Sequence, residues 1–122
     1  MKHRILIVED DPLSRELLTD WLETDGYEVM SATDLKTGFD AVQSHPPHLV
    51  LLDIGLGADD GLTLASWMRQ QPELRQIPII AVTAHAMVTE TQRIIEAGCN
   101  AVVPKPVDLP SLQEQLQKWL RR

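Results

Sequence analysis

The stretch Leu49-Val-Leu-Leu-Asp53-Ile-Gly55-Leu-Gly57-Ala-Asp-Asp-Gly61 decides how the chain reads. Four apolar residues run unbroken into Asp53, with Pro46-Pro47 before them and Gly55 and Gly57 after. A short apolar run without polar alternation is the pattern of a strand buried on both faces, as in a parallel sheet. Asp53 then stands at the strand's carboxyl end, the rim where open α/β sheets bind ligands. Taken singly, an Asp here reads as well as a residue hydrogen-bonding its own turn.

Upstream, Arg4 to Val8 is a second continuous, β-branched run, and it ends in Glu9-Asp10-Asp11. Asp11 before Pro12 caps a helix whose predicted stripe is Leu13, Leu17, Leu18, Trp21 and Leu22, with Gly26 as its stop. Tyr27 to Thr33 alternates in part, as expected of a strand nearer a sheet edge. Asp34 caps a second helix, with Leu35, Phe39, Ala41 and Val42 as its stripe, and His45-Pro46-Pro47 ends it. His45 and His48 lack a third ligand nearby and read as surface residues rather than a metal pair.

Downstream, Gly61 to Gln70 reads as a helix stopped before Pro72, and Ile77 to Val82 as a buried strand ending at Thr83. Met87 to Ala97 is a helix with a sparse stripe, chiefly Val88, Ile94 and Ile95, stopped by Gly98. Ala101 to Pro104 is a short last strand, followed by Lys105-Pro106. Asp108 caps a final helix carrying Leu109, Leu112, Leu116, Trp119 and Leu120 on one face. Five strands alternating with five helices make one α/β unit with helices on both faces of a parallel sheet. With 122 residues, 43% of them hydrophobic, the expectation is one domain over 1–122 with no effector domain. No repeat or linker interrupts it.

A net charge of −7 argues against nucleic acid or an anionic membrane as partner, because both need clustered Lys and Arg. The one basic pair is Arg121-Arg122, at the terminus. A single cysteine, Cys99, cannot form an internal disulfide and reads as a small packed residue in a reducing compartment. With no signal-peptide pattern and no run long enough to span a bilayer, the expected location is cytoplasmic.

Parallel strands share a direction, so the residues ending each run gather on one rim: Glu9 and Asp10, Asp53, Thr83 and Lys105. Three neighbouring carboxylates repel unless a cation is present. Oxygen ligands without Cys or His select a hard cation such as Mg²⁺, held by carboxylates, waters and a phosphate. A hydroxyl and an ammonium complete a cradle for a phosphoryl group. Each of these residues alone is more often structural, but their joint arrival at four strand ends is hard to assign to chance.

On these residues the chain resembles a response-regulator receiver domain over its whole length. The matching motifs, in order and spacing, are I-L-I-V-E-D-D, the D-x-x-x-x-x-x-D-G loop from Asp53 to Gly61, V-T-A at Val82 to Ala84, and K-P at Lys105-Pro106. The resemblance implies a flavodoxin-like, doubly wound (βα)5 fold with a five-stranded parallel sheet of order 2-1-3-4-5. It implies Asp53 as phospho-acceptor, with Mg²⁺ or Mn²⁺ held by Glu9, Asp10, Asp53 and the backbone carbonyl of Gly55. Thr83 would contact the phosphoryl group, Lys105 would pair with it, and the bond before Pro106 would be cis. The implied partners are a histidine kinase or histidine phosphotransfer protein as donor and a downstream protein as receiver of the signal. The chain would be a signalling acceptor with only its own phosphorylation and dephosphorylation chemistry, not an enzyme acting on outside substrates.

Four positions depart from the family pattern. Gly57 stands where proline is usual, which predicts a less rigid loop. Val102 replaces an aromatic whose rotation reports phosphorylation, and Gly55 and His85 replace the acids or amides usual beside an attacking water. The runner-up reading is a receiver-like interaction module that works without phosphorylation. A Mg-dependent aspartyl phosphohydrolase ranks behind it, because its general acid would fall at Gly55. A nucleotide site drawn from Gly55, Gly57 and Gly61 is weak, since those glycines follow the third strand and no phosphate-loop lysine accompanies them.

Overall fold

The computed structural model describes residues 2–57 and 59–120, so the Arg121-Arg122 pair lies outside the described residues. In chain order the elements are β1 (Arg4–Val8), α1 (Pro12–Thr24), β2 (Glu28–Ala32), α2 (Leu35–Ser44), β3 (Leu49–Asp53), β4 (Gly55–Leu56), β5 (Asp59–Asp60), α3 (Leu62–Arg69), β6 (Ile79–Thr83), α4 (Val88–Glu96), β7 (Ala101–Pro104) and α5 (Leu109–Leu120). Five strands form a parallel sheet in the order β2-β1-β3-β6-β7. With the small β4-β5 hairpin set aside, this is 2-1-3-4-5, the flavodoxin-like order.

The unbroken apolar runs lie at the centre. Every residue of β3 and β6 is buried, because helices cover both faces. Alternate residues of each strand point into two separate cores. Leu6, Val8, Val50, Leu52 and Ala81 meet α2, α3 and α4, while Ile5, Ile7, Leu49, Leu51 and Ile80 meet α1 and α5. Edge strand β2 sends Met30 and Ala32 to the first core and Val29 to the second, with Tyr27 joining Val29's side.

The helix ends follow local chemistry. Asp11 accepts the N–H of Ser14 at 2.9 Å, with Pro12 at the first helical position. Asp34 and Thr37 form a reciprocal capping box. Asp108 accepts the N–H of Ser111 at 3.1 Å. Gly26 and Gly98 end α1 and α4 at φ 94° and 117°, a region that side chains avoid.

Four sequence readings need correction. Leu13 and Leu17 of α1 are exposed, so only Leu18 and Leu22 of its stripe are buried, with Trp21 packed at the margin. In α4, Val88 and Ile95 are exposed as well, which leaves Ile94 as the buried anchor. The loop after Asp53 holds the β4-β5 hairpin, turned by Gly57 at φ 61°, where proline's fixed negative φ does not fit. Strand β6 begins after Pro78, whose carbonyl still accepts from Val50 N–H at 3.0 Å. His45 is exposed, and His48 is structural: its Nδ1 accepts the N–H of Arg4 at 2.7 Å. Cys99 is buried, and burial pushes its thiol up to about 12, consistent with a packed residue.

Opposite the site, Arg69 at the end of α3 donates to the carbonyls of Gly98, Arg75 and Ile77 and to Asn100 Oδ1. Asn100 Oδ1 also takes the N–H of Ile79 at 2.8 Å, so this knot pins the starting ends of β6 and β7.

At the other end Gly61, the N-cap of α3, allows the chain to pass against Asp53. An added Cβ would stand 2.5 Å from the Asp53 carbonyl oxygen. Gly61→Ala should cost about 1–3 kcal/mol by overpacking against rigid backbone. Urea unfolding measures it, and a midpoint equal to wild type would show that the segment yields freely.

Candidate functional site

Register brings the strand ends level. Val8 pairs with Leu52, Asp53 with Val82 and Thr83 with Pro104, so Glu9, Asp53, Thr83 and Lys105 are delivered to one edge. Glu9, Asp53 and Thr83 are the buried polar residues among the core, at 2%, 5% and 4% exposure, while Asp10 faces solvent. All the site side chains expected from the strand ends are therefore brought together. The Lys105-Pro106 peptide is cis, as expected.

Lys105, Asp53 and Glu9 are each held by two contacts. Lys105 Nζ stands 3.2 Å from Asp53 Oδ2 and 3.3 Å from Glu9 Oε1. Asp53 Oδ1 accepts the N–H of Gly55 at 3.1 Å, so the simple turn reading of Asp53 is also true. Glu9 Oε2 accepts the N–H of Asp11 at 3.1 Å, and Arg15 donates to the Glu9 carbonyl at 3.0 Å. Thr83 Oγ1 accepts the N–H of His85 at 3.0 Å, which leaves the hydroxyl proton free to donate. The His85 side chain itself is exposed.

Glu9, Asp10 and Asp53 each offer a carboxylate oxygen, and these oxygens lie within 4.8 Å of one another. Burial, followed by the contact with Asp53, pushes the Glu9 carboxyl up to about 7, against the pull of the Asp11 N–H and Lys105. Burial draws the Lys105 ammonium down, but Asp53 and Glu9 outweigh it and hold Lys105 above its ordinary value. One ammonium is too little charge for three acids. An all-oxygen donor set with unmet negative charge fits a hard divalent cation.

Asp53 opens into a cleft of about 410 Å³ whose lining includes Thr83, His85, Lys105, Asp60 and Arg93. Sequence reasoning used Asp60 only as part of a motif and missed Arg93. A lone arginine in a helix carries no signal for a partner on another element. Val102, in place of an aromatic, is partly buried against the core shared by α2, α3 and α4.

The chain matches the family model described as response regulator receiver domain over residues 5–117. It is 38% identical over 120 residues to the polar-differentiation response regulator DivK of Brucella anthropi, covering 98% of both chains. Its fold superposes on the receiver domain of sensor histidine kinase PA1611 from Pseudomonas aeruginosa with a TM-score of 0.91 at 30% identity, covering 100% of both chains. That crystal structure has a magnesium ion coordinated in the active-site cleft. A CheY-like receiver domain protein from Methanospirillum hungatei gives a TM-score of 0.90 at 29% identity, covering 99% of this chain and 95% of that one. No helix among the described residues is long and apolar enough to cross a membrane.

The raised Glu9 carboxyl sets a pH dependence. Between its ordinary value of 4.5 and about 7 the native state binds a proton that the unfolded chain releases, so stability falls as pH rises through this window. In Glu9→Gln protein, with no proton to titrate there, thermal denaturation in metal-free buffer at pH 5, 6 and 7 should show a flatter decline. A decline as steep as wild type would assign the effect to another group.

Proposed function

The chain belongs to the response regulator receiver domain family, and from that premise we propose that it accepts a phosphoryl group on Asp53 from a phosphohistidine donor. The donor is a histidine kinase or histidine phosphotransfer protein, and the phosphorylated chain changes its affinity for a downstream protein. The observation that carries this reading is the contact of Lys105 with buried Asp53 at 3.2 Å beside two further carboxylates.

In the reaction an Asp53 oxygen attacks phosphorus in line as the phosphorus–nitrogen bond to the donor histidine breaks; the electron pair returns to that nitrogen, and because the donor ring carries a proton on its other nitrogen it leaves as neutral imidazole while Asp53 becomes an acyl phosphate. The donor supplies the driving force, and this chain supplies alignment and charge. The Gly55 N–H holds Asp53 Oδ1, which leaves Oδ2, the oxygen facing Lys105, as the attacking atom. Lys105 then pairs with the transferred oxygens, and the Thr83 hydroxyl donates to one of them. Glu9, Asp10, Asp53 and the Gly55 carbonyl would hold Mg²⁺ or Mn²⁺, which when bound neutralises the charge gathering on the phosphoryl oxygens. Gly55 has no side chain to act as general acid, which disfavours turnover on outside substrates.

Incubation with acetyl phosphate and Mg²⁺ should label Asp53, read by mass spectrometry of the modified peptide. Asp53→Asn protein, and wild type in chelator, should stay unlabelled, and equal labelling in either would sink the assignment. Lys105→Ala protein should still be labelled but fail to turn labelling into partner binding. Partner binding that depends on phosphorylation as in wild type would remove Lys105 from the signalling role.

A further inference from the structure

Helix α4 is thinly anchored. It buries one residue, Ile94, its N-cap Met87 makes no side-chain bond, and Met87, Val88 and Ile95 are exposed. Arg93 provides a second tie. Its guanidinium donates to both carboxylate oxygens of Glu90, one turn earlier, at 2.9 and 3.3 Å, and from Nη1 to Asp60 Oδ2 at 3.1 Å.

Asp60 is part of β5, in the loop after Asp53. Its other oxygen, Oδ1, accepts the N–H of Leu62 at 3.0 Å where α3 begins. The next residue, Gly61, donates its N–H to Ile54 at 3.1 Å and lies too close to the Asp53 carbonyl to admit a Cβ. A continuous set of contacts therefore joins Asp53 through Gly61 and Asp60 to Arg93 on α4. Asp60 and Arg93 also line the cleft that holds Asp53, Thr83 and Lys105.

We propose that the Asp60–Arg93 ion pair is a latch that holds α4 against the acceptor loop, and that a phosphoryl group in the cleft opens it. The release step rests on Asp53 being the acceptor. The two side chains are 52% and 49% exposed, and ion pairs this open are weak, which suits a contact that must break in use. An incoming phosphoryl group brings a rival anion into the cleft, and a guanidinium fork pairs with phosphate oxygens through two parallel bonds. Once Arg93 leaves Asp60, α4 retains Ile94 as its buried residue and, at its C-cap, the packing of Ala97 and the Ser66 Oγ–H bond to the Ala97 carbonyl, so its first turns keep few buried contacts and open at low cost.

Amide hydrogen exchange over residues 88–96 tests the latch. Wild type, Asp60→Asn, Arg93→Gln and the double variant are compared with and without beryllofluoride plus Mg²⁺. Asp60→Asn keeps an oxygen for the Leu62 N–H, so the start of α3 is preserved. Without beryllofluoride each single variant should exchange about two- to fivefold faster than wild type, the scale of an exposed ion pair, and the double variant no faster than Arg93→Gln, which also loses the Glu90 bonds. Beryllofluoride should accelerate wild type and add little to the variants. Wild-type rates in both single variants, additive effects in the double variant, or a full beryllofluoride increment in the variants would overturn the latch. A wild type that does not respond to beryllofluoride would instead overturn the acceptor reading and the release step with it, while the comparison without beryllofluoride still judges the pair itself.

Discussion

The ammonium of Lys105 serves two buried carboxylates at once, Asp53 at 3.2 Å and Glu9 at 3.3 Å, with Asp10 in the same group. Three acids against one base leave a surplus of negative charge in a place where water screens poorly. The protein meets part of that demand by keeping a proton on Glu9 up to about pH 7 and part by backbone N–H groups from Gly55 and Asp11. The remainder is an opening for a divalent cation. On the proposed reading a phosphoryl group on Asp53 would increase the negative charge again, and metal, ammonium and hydroxyl would then act as one electrostatic unit and not as three separate contacts.

That unit is stiff because of what lies behind it. β3 and β6 are buried throughout, and each of the five sheet strands faces two cores, so no strand end can shift without disturbing packing on both sides. The knot of Arg69 and Asn100 pins the opposite ends of β6 and β7. Rigidity falls off toward α4, where one buried isoleucine and one exposed ion pair replace a core-facing stripe. On the proposed reading, a fold that is stiff at the acceptor and sparsely anchored at a neighbouring helix would convert a local change of charge into movement of that helix at small cost. Val102 fits this division, since a short β-branched side chain cannot sweep out the volume of an aromatic ring.

The amino-acid sequence by itself determined the five strands of the main sheet, their parallel arrangement and which side chains meet at their ends. Runs such as Ile5 to Val8 and Leu49 to Leu52 have no polar face to expose, so they must be covered on both sides, and parallel strands carry the residues that follow them to one edge. The helix boundaries were legible for the same local reason, since Asp11, Asp34 and Asp108 each satisfy an N–H within three residues. Only the tertiary structure decided which apolar residues are covered. Leu13, Leu17, Val88 and Ile95 fit a helical stripe as well as their buried neighbours do, but no element packs over them. It also decided the long-range polar pairs. Arg93 meets Asp60 across 33 positions and Arg69 meets Asn100 across 31, and a charged side chain in a helix carries no mark of its distant partner until the fold brings the two together.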